Sequence, residues 1–163
     1  MFHAACVPSQ FSLDTIRGKI KADIGLAVAH TSILRGGQLA VVMRRFDLES
    51  FLANVEKFEI NEFGVVPPIV IAIIMSGLGK KYSLKTVKAV QCGAAPLGKE
   101  SQDQLRQLLS EDATVLQIWG MTETSCIASM FHYPEDDETG SVGRMIPNLD
   151  VKYASLDVTG ELP

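Results

Sequence analysis

The chain has 163 residues, 47% hydrophobic and 21% charged, with a formal net charge of −4. That balance fits one globular domain with a real core, and it excludes a disordered segment. The basic residues are scattered, which argues against a nucleic-acid footprint. The longest apolar run, Val65 to Met75, is broken by Pro67 and Pro68 and falls well short of the ~20 residues a membrane span needs.

In chain order, Lys19 to Leu34 reads as a helix stopped by Gly36 and Gly37. Leu39 to Met43 is a compact apolar run suited to a buried strand. Asp47 can cap a helix whose apolar positions are Leu48, Phe51, Leu52, Val55 and Phe58. Phe63 to Val66 is the next strand, and Pro67 and Pro68 suit the first turn of a following helix. That helix takes in the β-branched run Ile69 to Met75 and ends at Gly77 and Gly79. Thr86 to Val90 alternates as a strand, Leu97 to Leu109 is helical, and Thr114 to Ile118 is a further strand. A β-like alternation returns in Leu149 to Tyr153.

Strands that alternate with helices predict an α/β fold, a mainly parallel sheet flanked by helices, with residues 1–163 forming one subdomain. In such sheets ligands lie at the carboxyl ends of the strands. The rule singles out Gln91 to Leu97 and Gln117 to Thr124.

In the second segment, Trp119 offers a ring for a nucleobase and Gly120 gives flexibility. Thr122 offers a hydroxyl for a phosphate oxygen, and Glu123 a carboxylate for magnesium. A plain strand-to-helix turn, with Thr122 as cap and Glu123 as a solvated charge, fits the same residues. Gly93-Ala94-Ala95-Pro96 could be a wall against a flat ring, although in isolation a tight turn into a helix is the simpler reading. His3 alone reads as an ordinary surface or packed imidazole. Glu135 to Glu138 lacks the ligand spacing of a calcium loop and reads as a solvated loop. Phosphate-loop, GxGxxG and GxSxG motifs are all absent.

Cys6, Cys92 and Cys126 are odd in number and far apart, with no metal-binding spacing. They read as buried small apolar side chains in a reducing compartment. No signal-peptide pattern opens the chain. The expected location is the cytoplasm, with a peroxisomal address left open.

Taken in order, the segments resemble the adenylate-forming superfamily, most closely its 4-coumarate–CoA ligase and luciferase-like branch. Met1-Phe-His3 is similar to the end of P-[LM]-F-H, and Phe63-Gly-Val-Val-Pro-Pro68 to the V-x-P-P strand end. Gln91-Cys-Gly-Ala-Ala-Pro-Leu-Gly-Lys-Glu100 resembles S-G-[AG]-A-P-L-x-K-E. Gln117-Ile-Trp-Gly-Met-Thr-Glu123 resembles Q-x-Y-G-[ML]-T-E, with tryptophan in place of tyrosine. Gly140-Ser-Val-Gly143 with Pro147-Asn148 resembles G-[SA]-V-G-x-x-x-P-N.

The resemblance implies an acid–thiol ligase that uses ATP, Mg2+ and CoA to activate a small-molecule carboxylic acid. It implies that Trp119 stacks on adenine, that Thr122 bonds phosphate and that Glu123 holds magnesium. Gly93, Ala94, Ala95 and Pro96, with Gln117, Gly120 and Met121, would border the nucleotide. His3 would lie by the carboxylate, and Gln91, Gly93, Cys126 and Ile127 would line the acyl pocket. A phosphate loop before residue 1, and a ribose-binding aspartate and lysine-bearing domain after residue 163, are expected elsewhere in the parent enzyme. Without them the chain alone is expected to be inactive. A carrier-protein-loading or luciferase-like enzyme is the alternative, and so is a non-catalytic binding module. Met121, where amino-acid-loading domains tend to carry proline, favours the CoA ligase.

Overall fold

The computed structural model describes residues 4–7, 39–43, 45–124, 127–132 and 134–152. Five short strands form one wholly parallel sheet: β1 (Ala4–Val7), β2 (Leu39–Val42), β3 (Glu62–Val65), β4 (Ala89–Cys92) and β5 (Thr114–Gln117), in the order β2-β1-β3-β4-β5. The connections place α1 (Leu48–Lys57) between β2 and β3. Helices α2 (Pro67–Ser76) and α3 (Leu78–Lys81) lie between β3 and β4, and α4 (Lys99–Arg106) between β4 and β5. Beyond β5 comes a second, two-stranded antiparallel sheet of β6 (Ser129–Met130) and β7 (Arg144–Met145). The expected α/β class with a mainly parallel sheet is the one observed. The helix expected over Lys19 to Leu34 lies outside the described residues.

Local chemistry explains the helices. Asp47 caps α1 by accepting the Ser50 N–H at 2.8 Å, and the i, i+4 spacing buries Phe51, Leu52 and Val55. Phe58, expected on the same face, is instead the C-cap residue and is exposed, with the Lys57 ammonium 5.1 Å above its ring. Pro67 and Pro68 open α2 where their missing N–H groups cost nothing, and Gly77 closes it with a φ of +68°. The β-branched run between them is helical because those two punctuation marks outweigh its strand propensity.

Several boundaries move, with β2 and β5 each ending one residue early, at Val42 and Gln117. The third strand begins at Glu62 and ends at Val65, one residue earlier than the sequence suggests. The fourth starts only at Ala89, because residues 86–88 are held by other bonds. The Thr86 hydroxyl donates to the Ile60 carbonyl, the Asn61 amide donates to the Thr86 carbonyl, and the Asn61 carbonyl accepts from Lys88 and Ala89. Helix α4 is shorter than Leu97 to Leu109: Gly98 is its extended N-cap, and beyond Arg106 the chain tightens into i→i+3 bonds. Residues 149–152 are not a strand, and the strand near them is β7, earlier in the chain.

The core lies between one face of the sheet and helices α1, α2 and α4. Phe63, Val65, Val90, Cys92 and Val115 face Phe51, Leu52, Val55, Val70, Ile73 and Leu105. Phe51 meets Phe63 edge-on, with ring centroids 5.3 Å apart. On the other face Glu62, Gly64, Ala89 and Gln91 are half-buried, and the Gln91 amide donates to the Glu62 carboxylate at 3.0 Å. All five strands are parallel, so the loops after β3, β4 and β5 share one edge. It is also the edge on which an open sheet of this order places its ligands.

Candidate functional site

The loop after β4 and the segment after β5 lie side by side, because Cys92 pairs with Gln117 at the end of the ladder. The pairing continues past both strands: the Ile118 N–H donates to the Cys92 carbonyl at 2.9 Å, and the Gly93 N–H to the Val65 carbonyl at 3.1 Å. Gly93 faces Ile118 so closely that an added Cβ would sit 2.9 Å from Ile118 Cγ1. Ala94 then takes a φ of +71°, a left-handed conformation costing a non-glycine residue ~1–2 kcal/mol, and Ala94, Ala95 and Pro96 are exposed. Strain of this kind gathers where a backbone must present itself to a ligand.

Trp119 is 43% exposed, a large ring at the end of an otherwise buried strand. Its backbone is fixed from behind: its N–H donates to the Ser129 carbonyl at 3.1 Å, and its carbonyl accepts from Ala128 at 2.8 Å and Ser129 at 3.0 Å. Gly120 and Met121 follow, both exposed. Residues Thr122–Thr124 form a single 3-10 turn, not the start of a helix. The hydroxyl that ties this turn is that of Thr124, which donates to the Met121 carbonyl at 3.0 Å and accepts the Met121 N–H at 3.3 Å. Glu123 points into solvent from the turn, and Ile127 is half-buried beyond it. His3, Cys126 and the Thr122 side chain lie outside the described residues.

The structure therefore brings Gly93 to Pro96 and Gln117 to Glu123 to one edge, as the sequence suggests. Gln91 sits inside β4 on the sheet face opposite the core, with its amide engaged by Glu62. Among the described residues no cluster of three or more His, Cys, Asp or Glu side chains could cage a metal. Burial pushes the Cys92 thiol up to about 12, so it is an inert core residue, in line with its sequence reading.

Two features of this edge have no signal in residue spacing. The Gln117 side chain is buried and engaged at both its oxygen and its nitrogen, accepting the Leu97 N–H at 2.8 Å and donating to the Gly140 carbonyl at 3.2 Å. The acidic run is also more than a solvated loop. Glu135 pairs with Arg144 at 2.6 Å, Asp136 with Arg106 at 3.0 Å and Glu138 with Lys99 at 3.9 Å. Asp137 gathers the N–H groups of Thr139, Gly140 and Ser141 and the Thr139 hydroxyl. Burial pushes the Asp137 carboxyl up, but these hydrogen bonds outweigh it and hold the group below the ordinary carboxylate range.

Residues 20–163 match the family model described as AMP-binding enzyme. The chain is 44% identical over 170 residues to an acyl-CoA synthetase of Alternaria alternata, covering 99% of this chain and 26% of that protein. It is 45% identical over 158 residues to a phenylacetyl-CoA ligase of Aspergillus niger, covering 96% of this chain and again 26% of the other. The luciferase-like enzyme of the mealworm Zophobas morio shares the fold, with a TM-score of 0.67 at 21% identity over 87% of this chain and 32% of its own. The chain thus spans about a quarter of the length of the curated relatives it matches. With a parallel sheet of this order, and a family match that runs through both loops of the candidate edge, the chain belongs to the AMP-binding enzyme family of adenylate-forming acyl-CoA ligases.

Proposed function

We propose that this chain supplies one wall of the adenylate pocket of an enzyme that activates a carboxylic acid with ATP and passes the acyl group to CoA. The observation that carries the reading is the pairing of an exposed Trp119 with the strained Gly93–Pro96 loop on one sheet edge, in a relative of named CoA ligases. Trp119 stacks on the adenine, and Gly93, Ala94, Ala95 and Pro96 border it, with Gln117, Gly120 and Met121 shaping the floor. Thr122 bonds a phosphate oxygen, and Glu123 holds Mg2+, which neutralises phosphate charge when bound. Gln91, Cys126 and Ile127 line the acyl side, with His3 by the carboxylate.

In the first half-reaction a carboxylate oxygen of the acid bonds to the α-phosphorus of ATP and the bond to pyrophosphate breaks. In the second, the CoA sulfur bonds to the acyl carbon and AMP leaves. Positioning and charge neutralisation dominate both, so a pocket wall matters even though it donates no nucleophile. CoA as acceptor is supported by Met121 and by the relatives' names.

The test is a graft. The chain replaces the matching quarter of the Aspergillus niger phenylacetyl-CoA ligase, and carboxylate-dependent ATP–pyrophosphate exchange is measured across a panel of aryl and medium-chain acids. We expect exchange with at least one acid, lost in Glu123→Ala. A graft that folds, as shown by a cooperative thermal transition, yet exchanges with no acid would contradict the proposal.

A further inference from the structure

We infer that Gln117 is the positioning residue of the adenine wall. Its carboxamide, with that of Gln102, clamps Leu97 and ties the loop after β4 to the loop that carries Gly140. The inference rests on the reading of that edge as a nucleotide pocket.

Leu97 ends the Gly93–Pro96 segment, and both of its backbone groups are held by buried glutamines. Gln117 Oε1 accepts the Leu97 N–H at 2.8 Å, and Gln102 Nε2 donates to the Leu97 carbonyl at 3.0 Å. Gln117 is 7% exposed and Gln102 6%, positions where an amide survives only if its hydrogen bonds are made. Gln117 has a second partner. Its Nε2 donates to the Gly140 carbonyl at 3.2 Å, and Gly140 is itself fixed by Asp137, which accepts its N–H at 2.8 Å.

Gly140 has a φ of +81°, so a side chain there would be strained; an added Cβ would also lie 3.6 Å from Gln117 Nε2. One carboxamide thus joins three segments: β5, the wall after β4 and the loop before β7. It lies two residues before Trp119, with its own backbone locked in the ladder to Cys92. The wall carries a left-handed alanine and three exposed residues in a row, so it has little packing of its own. The clamp supplies the rigidity that a preorganised pocket needs.

The two ends of the amide are separable. Gln117→Glu keeps the Leu97 acceptor but turns an oxygen on the Gly140 carbonyl. Gln117→Met loses both contacts. In the 163-residue chain, amide hydrogen exchange is expected to show Leu97 losing protection roughly tenfold or more in Gln117→Met while β3 and β4 amides keep theirs. In Gln117→Glu the Leu97 amide stays protected, and the shift of the Ser141 amide, which belongs to the Gly140 peptide unit, moves in both variants. Unchanged Leu97 exchange in Gln117→Met overturns the inference. So does a uniform loss of protection across β3, β4 and Leu97, which would make Gln117 a purely global stabiliser.

A parallel titration with ATP and Mg2+, read by the emission of Trp119, the one tryptophan of the sequence, separates this from the underlying reading. No nucleotide response in the parent chain would count against the pocket, while the exchange pattern would still decide the clamp.

Discussion

The layer between the sheet and its helices and the rim of loops at the strands' carboxyl ends are held together by different forces. From Met43 to Val115 the described residues form a continuous apolar cluster around Phe51 and Phe63, whereas beyond Ile118 only Ala128 is a buried apolar residue among those described. The rim instead relies on directed polar contacts: Gln117 to Leu97 and Gly140, Asp137 to three successive N–H groups, and Arg144 and Arg106 to Glu135 and Asp136. Non-directional burial tolerates small shifts, while hydrogen bonds specify position. The candidate site lies on the part that is specified more than it is buried.

If the two layers are energetically distinct, a core truncation should fail globally. Phe63→Ala removes a side chain that is 1% exposed and packed edge-on against Phe51, and we expect a loss of ~3–5 kcal/mol by urea denaturation. Rim and core probes should move together. A core lesion that left β4 and β5 protected would break the comparison.

Gly143→Ala should do the converse. Gly143 has a φ of +81°, and an added Cβ would lie 2.3 Å from the Met130 carbonyl carbon, backbone that cannot swing aside. We expect more than ~1 kcal/mol of local destabilisation, read as faster amide exchange around Trp119, Ser129 and Ile146. The amides of β3 and β4 should be unaffected. Equal loss in both regions would merge the rim with the core.

The smallest effect is one of pH. The folded Asp137 carboxyl titrates below its unfolded value, so its contribution is complete above the ordinary carboxylate value of ~3.9 and is lost as pH falls through the lower folded one. The Thr139, Gly140 and Ser141 amide shifts should therefore change below about pH 4. Asp137→Asn should flatten that response, and core signals should remain constant. A response in the same window that survived Asp137→Asn would assign it to another group.

The sequence is most informative where punctuation and periodicity agree. Asp47 and the Phe51, Leu52 and Val55 spacing place α1, and Pro67, Pro68 and Gly77 place α2 against the strand propensity of Ile69 to Ile74. It misplaces the start of β4 because Val87 and Ala89 alternate with Thr86 and Lys88 like a strand, although the ladder with β3 opens only at Ala89. The hairpin of β6 and β7 is invisible in sequence, since two-residue strands carry no period. Both loops of the site are legible through the family resemblance. The clamp is not: Gln102 shares a buried face with Leu105 and Leu109 by its spacing, but spacing alone does not say that its carboxamide meets the Leu97 carbonyl.

The central claim is that the rim presents Trp119 to a nucleobase, and its most direct test is the Michaelis constant for ATP in the grafted ligase. Stacking on an aromatic side chain is worth ~1–3 kcal/mol per base, so Trp119→Ala should raise KM for ATP by roughly tenfold or more, and Trp119→Tyr should restore most of it. A Trp119→Ala graft with an unchanged KM for ATP would contradict the account.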